Sequence, residues 1–236
     1  MGHWPASQHH KNEQRERTPI HAVARARPTP SEDREQNWRR IWSATRPASG
    51  TLVETYQASR GITLPIPPSI RFHPALRHPS GDSWPCMVAA VHRVGSNEPV
   101  AIHRTFLARD GSQKAPVGSA KMMLGPCRGG AVRLAEPGDE LMVGEGIETC
   151  LSVMQATGKP AWAALCTVGL RALDVPETVT NVIILADGDK PGEAAAQDCL
   201  RRWTRCGISV RIARPPAGFD FNDVLLGRHV STGAGA

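Results

Sequence analysis

The amino-acid sequence predicts an α/β protein: an α+β N-terminal module followed by a unit whose mainly parallel sheet is flanked by helices. Three observations carry this prediction. Apolar residues recur at helical spacing around Trp38 and Trp42, then give way to strand-like patterning from Trp84. Beyond Gly138, short apolar strands alternate with helical stretches, the pattern of a parallel sheet with right-handed crossovers. Charge divides the chain near the same place. Residues 70–133 hold nine Lys/Arg against three acids, and residues 134–189 hold two Lys/Arg against nine acids. A basic segment binds polyanions, whereas an acidic cluster calls for cations.

Taken in order, residues 1–30 carry five Lys/Arg and two acids with no apolar period, and are expected to form a disordered basic tail. The module of residues 31–135 opens with a helix capped at Ser31, with Glu32 and Asp33 in its first turn and Trp38, Ile41 and Trp42 on one face. A second helix runs from Ser49 or Thr51 to Arg60 and stops at Gly61; the proline-rich Leu64–Ser69 stretch is a rigid connector. Pro85–Val94 and Pro99–Arg109 read as strands of a hairpin joined by residues 95–98, with turns at Asp110–Ser112 and Gly125–Gly130 and a strand at Ala131–Ala135. Together these strands suggest a small mixed sheet.

In the unit of residues 136–228, strands are expected at Glu140–Gly144, Ala161–Thr167, Asn181–Ala186 and Ile208–Ala213. Helices are expected at Ile147–Thr157, around Leu170 and at Gly192–Arg205, with a last turn or helix at Asp223–Leu226 and a flexible tail over 229–236. The longest apolar runs, Val182–Ala186 and Met87–Val91, are too short for a membrane helix, and the polar N-terminus is not a secretory signal, so a cytoplasmic protein is expected. The six cysteines form no C-x-x-C pair; buried free thiols fit better than zinc.

Three acidic groups fall where the strands of the second unit end: Glu145-Gly146 with Glu148, Asp187-Gly188-Asp189, and Asp220 with Asp223. In a parallel sheet, side chains at the carboxyl ends of strands converge on one crevice. Hard oxygen donors of this kind suit Mg²⁺ (or Mn²⁺), which binds through one or two carboxylates plus waters and substrate phosphate. Glu148 lies one helical turn from Glu145 and either joins the site or is an acid favoured by the helix dipole.

These motifs resemble the Toprim domain shared by bacterial primases, topoisomerases and certain nucleases, which is Rossmann-like. The wording Glu145-Gly-Ile-Glu-Thr, Ala186-Asp-Gly-Asp-Lys-Pro-Gly and Asp220-Phe-Asn-Asp is similar to the variety in phage- and plasmid-type primase-like proteins. The segment from Ile102-His-Arg-Thr-Phe-Leu through Lys114-Ala-Pro to Lys121 and Leu124-Gly125 resembles the module preceding Toprim in those proteins. The resemblance implies Glu145 as general acid/base or indirect metal ligand, and Asp187 and Asp189 as direct metal ligands and part of the catalytic set. Asp220 and Asp223 are further metal-binding candidates, and Arg104, Lys114 and Lys121 contact phosphates or a nucleotide. Thr149 stands where many primases carry a carboxylate.

The implied function is Mg²⁺-dependent nucleotidyl transfer, primer synthesis on DNA, in a mobile-element protein whose partners are single-stranded DNA and nucleotides. No P-loop motif occurs, so a replicative helicase would be a separate partner. A Toprim nuclease and a non-catalytic binding factor of a mobile element are the alternatives. A topoisomerase is disfavoured, because the single tyrosine, Tyr56, falls on an N-terminal helix.

Overall fold

The computed structural model describes residues 30–228 and Met1; the tails expected at 1–30 and 229–236 fall almost wholly outside the described residues. The elements in chain order are α1 (Pro30–Ser43), β1 (Arg46–Pro47), α2 (Leu52–Ser59), β2 (Ile70–Arg77), β3 (Ser83–Arg93), β4 (Ala101–Phe106), β5 (Lys121–Leu124) and β6 (Gly130–Arg133). There follow β7 (Glu140–Gly144), α3 (Ile147–Thr157), β8 (Ala161–Ala163), α4 (Thr167–Ala172), β9 (Asn181–Leu185), α5 (Lys190–Arg205), β10 (Ser209–Ala213) and α6 (Phe221–Leu225).

The strands β8, β7, β9 and β10 lie side by side and parallel, in that order. Since helices cover both faces of this sheet, β7 and β9 are apolar beyond their first residue, whereas the edge strand β10 carries exposed Ser209 and Arg211. Strand β7 shows the division: Leu141 and Val143 pack towards α5, among Ala195, Cys199 and Trp203, while Met142 packs on the other face with Ile147 and Leu151 of α3. Each such fully buried aliphatic side chain stabilises the fold by about 1.5–3 kcal/mol.

In the first half every pairing is antiparallel, which corrects the expectation of a mixed sheet. Nor does that sheet stand alone. Strand β6 pairs with the end of β3 and also with β8, so one ten-stranded sheet runs through both halves. Helix α1 covers one face of the antiparallel part, setting Trp38 and Ile41 on Cys86, Val88, Ile102 and Phe106. Helix α2 covers the other, with Val53 and Tyr56 against Met87, Ala89 and Val91.

Three strands went unread in the sequence, the two-residue β1 among them. Strand β2 contains Pro74, a residue that argues against a strand interior; the structure accommodates it with a register shift between His73 and Leu76. Strand β5, four residues with alternating exposure, is too short to show a period. Strand β8 ends earlier than expected, because Leu165 turns the chain at φ 72° and Cys166 then caps α4. Helix α1 begins at Pro30, so Ser31 lies inside its first turn rather than capping it. Among the described residues no helix is long and apolar enough to cross a membrane, and all six cysteines are free.

Candidate functional site

The parallel strands deliver their acids as the chemistry of strand ends requires. Glu145 follows β7 directly, and its backbone carbonyl accepts a hydrogen bond from Leu165 N at 2.9 Å. Asp187 and Asp189 follow β9, and Asp189 caps α5 by accepting from Gly192 N at 2.7 Å. This close turn needs Gly192: a Cβ there would lie 2.9 Å from Asp189 Oδ1 and 3.1 Å from the Asp187 carbonyl oxygen. Asp220 and Asp223 close a reciprocal capping box at the start of α6.

Electrostatics divides these acids. Burial, reinforced by the charges of Asp187 and Asp189, pushes the Glu145 carboxyl up to about 7, against the opposing pull of Arg171. Burial, with Asp189 and Asp220 nearby, also raises Asp187, while Lys121 counters. The buried Oε1 of Glu145 has no hydrogen-bond partner. By contrast Asp223 is held low by its backbone hydrogen bond within the capping box and by Arg228. Among the described residues no three His, Cys, Asp or Glu side chains form a ready-made metal cage. The donors nevertheless fit Mg²⁺: Glu145 keeps an orphaned carboxylate oxygen, the charges of Asp187 and Asp189 raise its proton affinity, and Mg²⁺ takes only one or two protein carboxylates.

A cleft of about 540 Å³ opens beside Asp187 and Asp189, lined also by Lys190, Glu193 and Arg214. Arg214 clasps Glu193 through two hydrogen bonds of 2.8 and 2.6 Å, tying the segment after β10 to α5. A larger groove of about 820 Å³ at Arg46, Thr51 and Phe72 is lined by none of the strand-end acids. Charge, rather than size, marks the site.

The basic candidates separate by strand parity. Arg104 shares the α1 face of β4 with Ile102 and Phe106; it is 8% exposed, its guanidinium lies 6.0 Å from the Phe106 ring centroid, and Nη2 donates to the Met123 carbonyl at 3.4 Å. The structure therefore does not bring Arg104 to the acids, a consequence of the period-2 alternation that also turns His103 the opposite way. His103 is buried, and Lys121 and Glu148 are among the charges acting on it. Lys121 reaches Glu148 Oε2 at 2.8 Å, and its charge is felt at Asp187. Lys114 is held low by burial and by Lys121, with Glu148, Arg60 and Asp220 also acting on it. Arg60, whose charge is felt at Asp223 as well, is a member the sequence reading missed. It served there only to end α2 before Gly61, and nothing local to the sequence marks it as facing the acids.

Glu148, left open between two readings, is 7% exposed and accepts from Tyr56 Oη at 2.8 Å as well as from Lys121. Burial opposes its charge, but Lys121 and the hydrogen bonds from Lys121 and Tyr56 prevail and hold the carboxyl at about 2.

Comparison with solved structures finds similarity to a DNA primase domain from Pseudomonas aeruginosa, at 18% identity and a TM-score of 0.44, over 65% of this chain and 52% of that one. The primase fragment of the bacteriophage T7 primase-helicase protein is similar at 17% identity and a TM-score of 0.45, over 74% of this chain and 66% of that one. The zinc-binding and RNA polymerase domains of the Aquifex aeolicus primase are similar at 14% identity and a TM-score of 0.43, over 78% of this chain and 47% of that one. The chain thus spans about half the length of the Pseudomonas domain. No curated protein matches it. Residues 32–134 match a family described as a domain of unknown function, DUF7146. Residues 140–229 match the family described as the Toprim domain. With that match standing on a parallel sheet that carries Glu145, Asp187 and Asp189 at its strand ends, the C-terminal part of this chain is a Toprim domain.

Proposed function

We propose that this chain acts on nucleic acid as a Mg²⁺-dependent nucleotidyltransferase of the primase kind, synthesising primers on single-stranded DNA. The observation that carries the reading is the strand-end cluster of Glu145, which keeps a buried oxygen without a partner, and the acids whose charges act on it, Asp187 and Asp189. Cations reach the neighbouring acids: Lys121 acts on Asp187, Arg60 acts on Asp223, and Lys114 feels Glu148 and Asp220.

Asp187 and the oxygen of Asp189 that is not capping α5 would hold the metal, with Glu145 as an indirect ligand. Bound there, Mg²⁺ supplies positive charge that neutralises phosphate oxygens and orients the attacking and leaving groups. The remaining work falls to the chain itself. Lys114, Lys121 and Arg60 bind phosphates by charge. Glu145, left out of direct coordination, would accept a proton from an attacking hydroxyl or return one to a leaving group. Asp220 and Asp223 shape the start of α6 through their capping box.

The test is primer synthesis on single-stranded DNA with labelled nucleoside triphosphates and Mg²⁺ or Mn²⁺, comparing the natural chain with Asp187→Asn. Product that disappears in the variant is the expected result. Absence of product from the natural chain, with or without a replicative helicase, refutes primer synthesis. Cleavage of plasmid or RNA that Asp187→Ala abolishes would instead identify a nuclease. Full biological effect in Glu145→Gln and Asp187→Asn would identify a non-catalytic binding factor.

A further inference from the structure

We infer that Glu148 and Tyr56 are positioning residues, which together hold the Lys121 ammonium where an incoming phosphate is bound; the inference rests on the phosphate-binding reading of Lys121. Glu148 sits in the first turn of α3, three residues beyond Glu145, where sequence alone leaves it free to be a metal ligand. Both its oxygens are already committed. Oε1 accepts from Tyr56 Oη at 2.8 Å, and Oε2 accepts from Lys121 Nζ at 2.8 Å. A carboxylate occupied at both oxygens and 7% exposed is not placed to bind a cation from solvent.

The three residues come from three elements: Tyr56 from α2, Lys121 from β5 and Glu148 from α3. Contact between the basic module and the Toprim domain thus passes through a buried carboxylate gripped from both sides. Tyr56 is 1% exposed and packs in the core beside Met87, Ala89 and Ile147, so its hydroxyl has little freedom to move. That hydroxyl fixes the carboxylate rotamer, and the carboxylate in turn fixes the end of a long and otherwise flexible lysine. Free in water, such a side chain loses rotamer entropy whenever it grips a ligand; held in advance, it loses less. The side chain of Lys121 remains 37% exposed, so its ammonium is tethered yet open to a phosphate.

The experiment is a double-mutant cycle of Tyr56→Phe and Lys121→Ala, read as affinity for a labelled single-stranded oligonucleotide across a salt series at fixed Mn²⁺. Lys121→Ala should reduce the magnitude of the salt slope by about 0.7, one phosphate contact on a single strand. Tyr56→Phe should weaken binding about 3- to 10-fold, the range for one lost hydrogen bond. On the Lys121→Ala background it should cost nothing further. Glu148→Gln should reproduce the Tyr56→Phe loss and the same dependence on Lys121. A Tyr56→Phe loss of equal size on both backgrounds overturns the tether, as does no loss in the natural chain. A purely structural Tyr56 would lower Tm and leave the salt slope and the Lys121 dependence untouched, which also overturns it. Failure of the natural chain to bind any oligonucleotide refutes the functional reading itself and removes the tether's purpose, and it is recognised without any variant.

Discussion

Replacing Glu145 with glutamine should stabilise the metal-free protein, and only above a defined pH. The Glu145 carboxyl is raised from 4.5 to about 7, chiefly by burial and then by Asp187 and Asp189. Below pH 4.5 it is protonated in both folded and unfolded chains and contributes nothing to stability. Between 4.5 and 7 the folded chain keeps a proton that the unfolded chain has released, so stability falls as pH rises. Above 7 the full penalty of the buried charge is present. A rise of that size corresponds to about 3 kcal/mol if nothing screened it. Glu145 is half-buried, and water screening reduces the penalty to about 1–2 kcal/mol. For a domain of this size each kcal/mol moves Tm by about 2–4 °C. Calorimetry in chelator should therefore show Glu145→Gln melting a few degrees higher at pH 8 and level with the natural chain at pH 4. Saturating Mn²⁺ should reverse the order at pH 8, because the natural chain alone gains the full ligand stabilisation. Equal or lower Tm for the variant at pH 8 in chelator would refute the claim that Glu145 is a strained, under-satisfied carboxylate.

Other expectations follow from the same contacts. Asp187→Asn should weaken Mn²⁺ binding at least about tenfold by titration calorimetry. Asp223→Asn, which loosens the capping box and the Arg228 pair, should lower stability by about 1 kcal/mol and leave Mn²⁺ affinity nearly unchanged. Gly192→Ala, whose Cβ would meet Asp189 Oδ1 at 2.9 Å, should cost about 1–3 kcal/mol in denaturant unfolding and weaken Mn²⁺ binding together. Arg171→Ala removes the cation that pulls Glu145 down, so the Glu145 titration followed by ¹³C NMR should move upward.

The parallel half was legible because its signals are local. A five-residue strand with an apolar centre, followed by a glycine-bearing turn and a helix, declares itself within a short window, and Glu140–Gly144 and Ile147–Thr157 were read with the bounds the structure gives. What escaped depends on distant pairing. That β6 joins β3 to β8 and fuses the two halves into one sheet cannot be read from either segment alone. Parity within a strand carried the other lesson. Pairing Met122 with Arg104 and Met123 with His103 decides which of two adjacent residues meets the Toprim side, and a sequence run of Ile-His-Arg-Thr-Phe leaves that undecided. Arg60 escaped for a related reason, since its approach to the acids depends on how α2 lies over the sheet.

The acids themselves look alike in sequence, and hydrogen bonding is what tells them apart. Asp220 and Asp223 accept from backbone N–H groups in the capping box, Glu193 accepts from Arg214, and Glu148 accepts from Tyr56 and Lys121. For Asp223, Glu193 and Glu148 those partners favour the charged form. Glu145 and Asp187 are pushed the other way, towards holding protons, and Glu145 keeps a buried oxygen without a partner. A fold gains nothing from burying carboxylates among other acids, and here the pull of Arg171 on Glu145 and of Lys121 on Asp187 does not offset that burial. Perturbation of this sign at a cleft is where a bound cation would return the most free energy. The acids that the fold satisfies shape the site, and the two that it leaves wanting are where a metal and a phosphate would complete it.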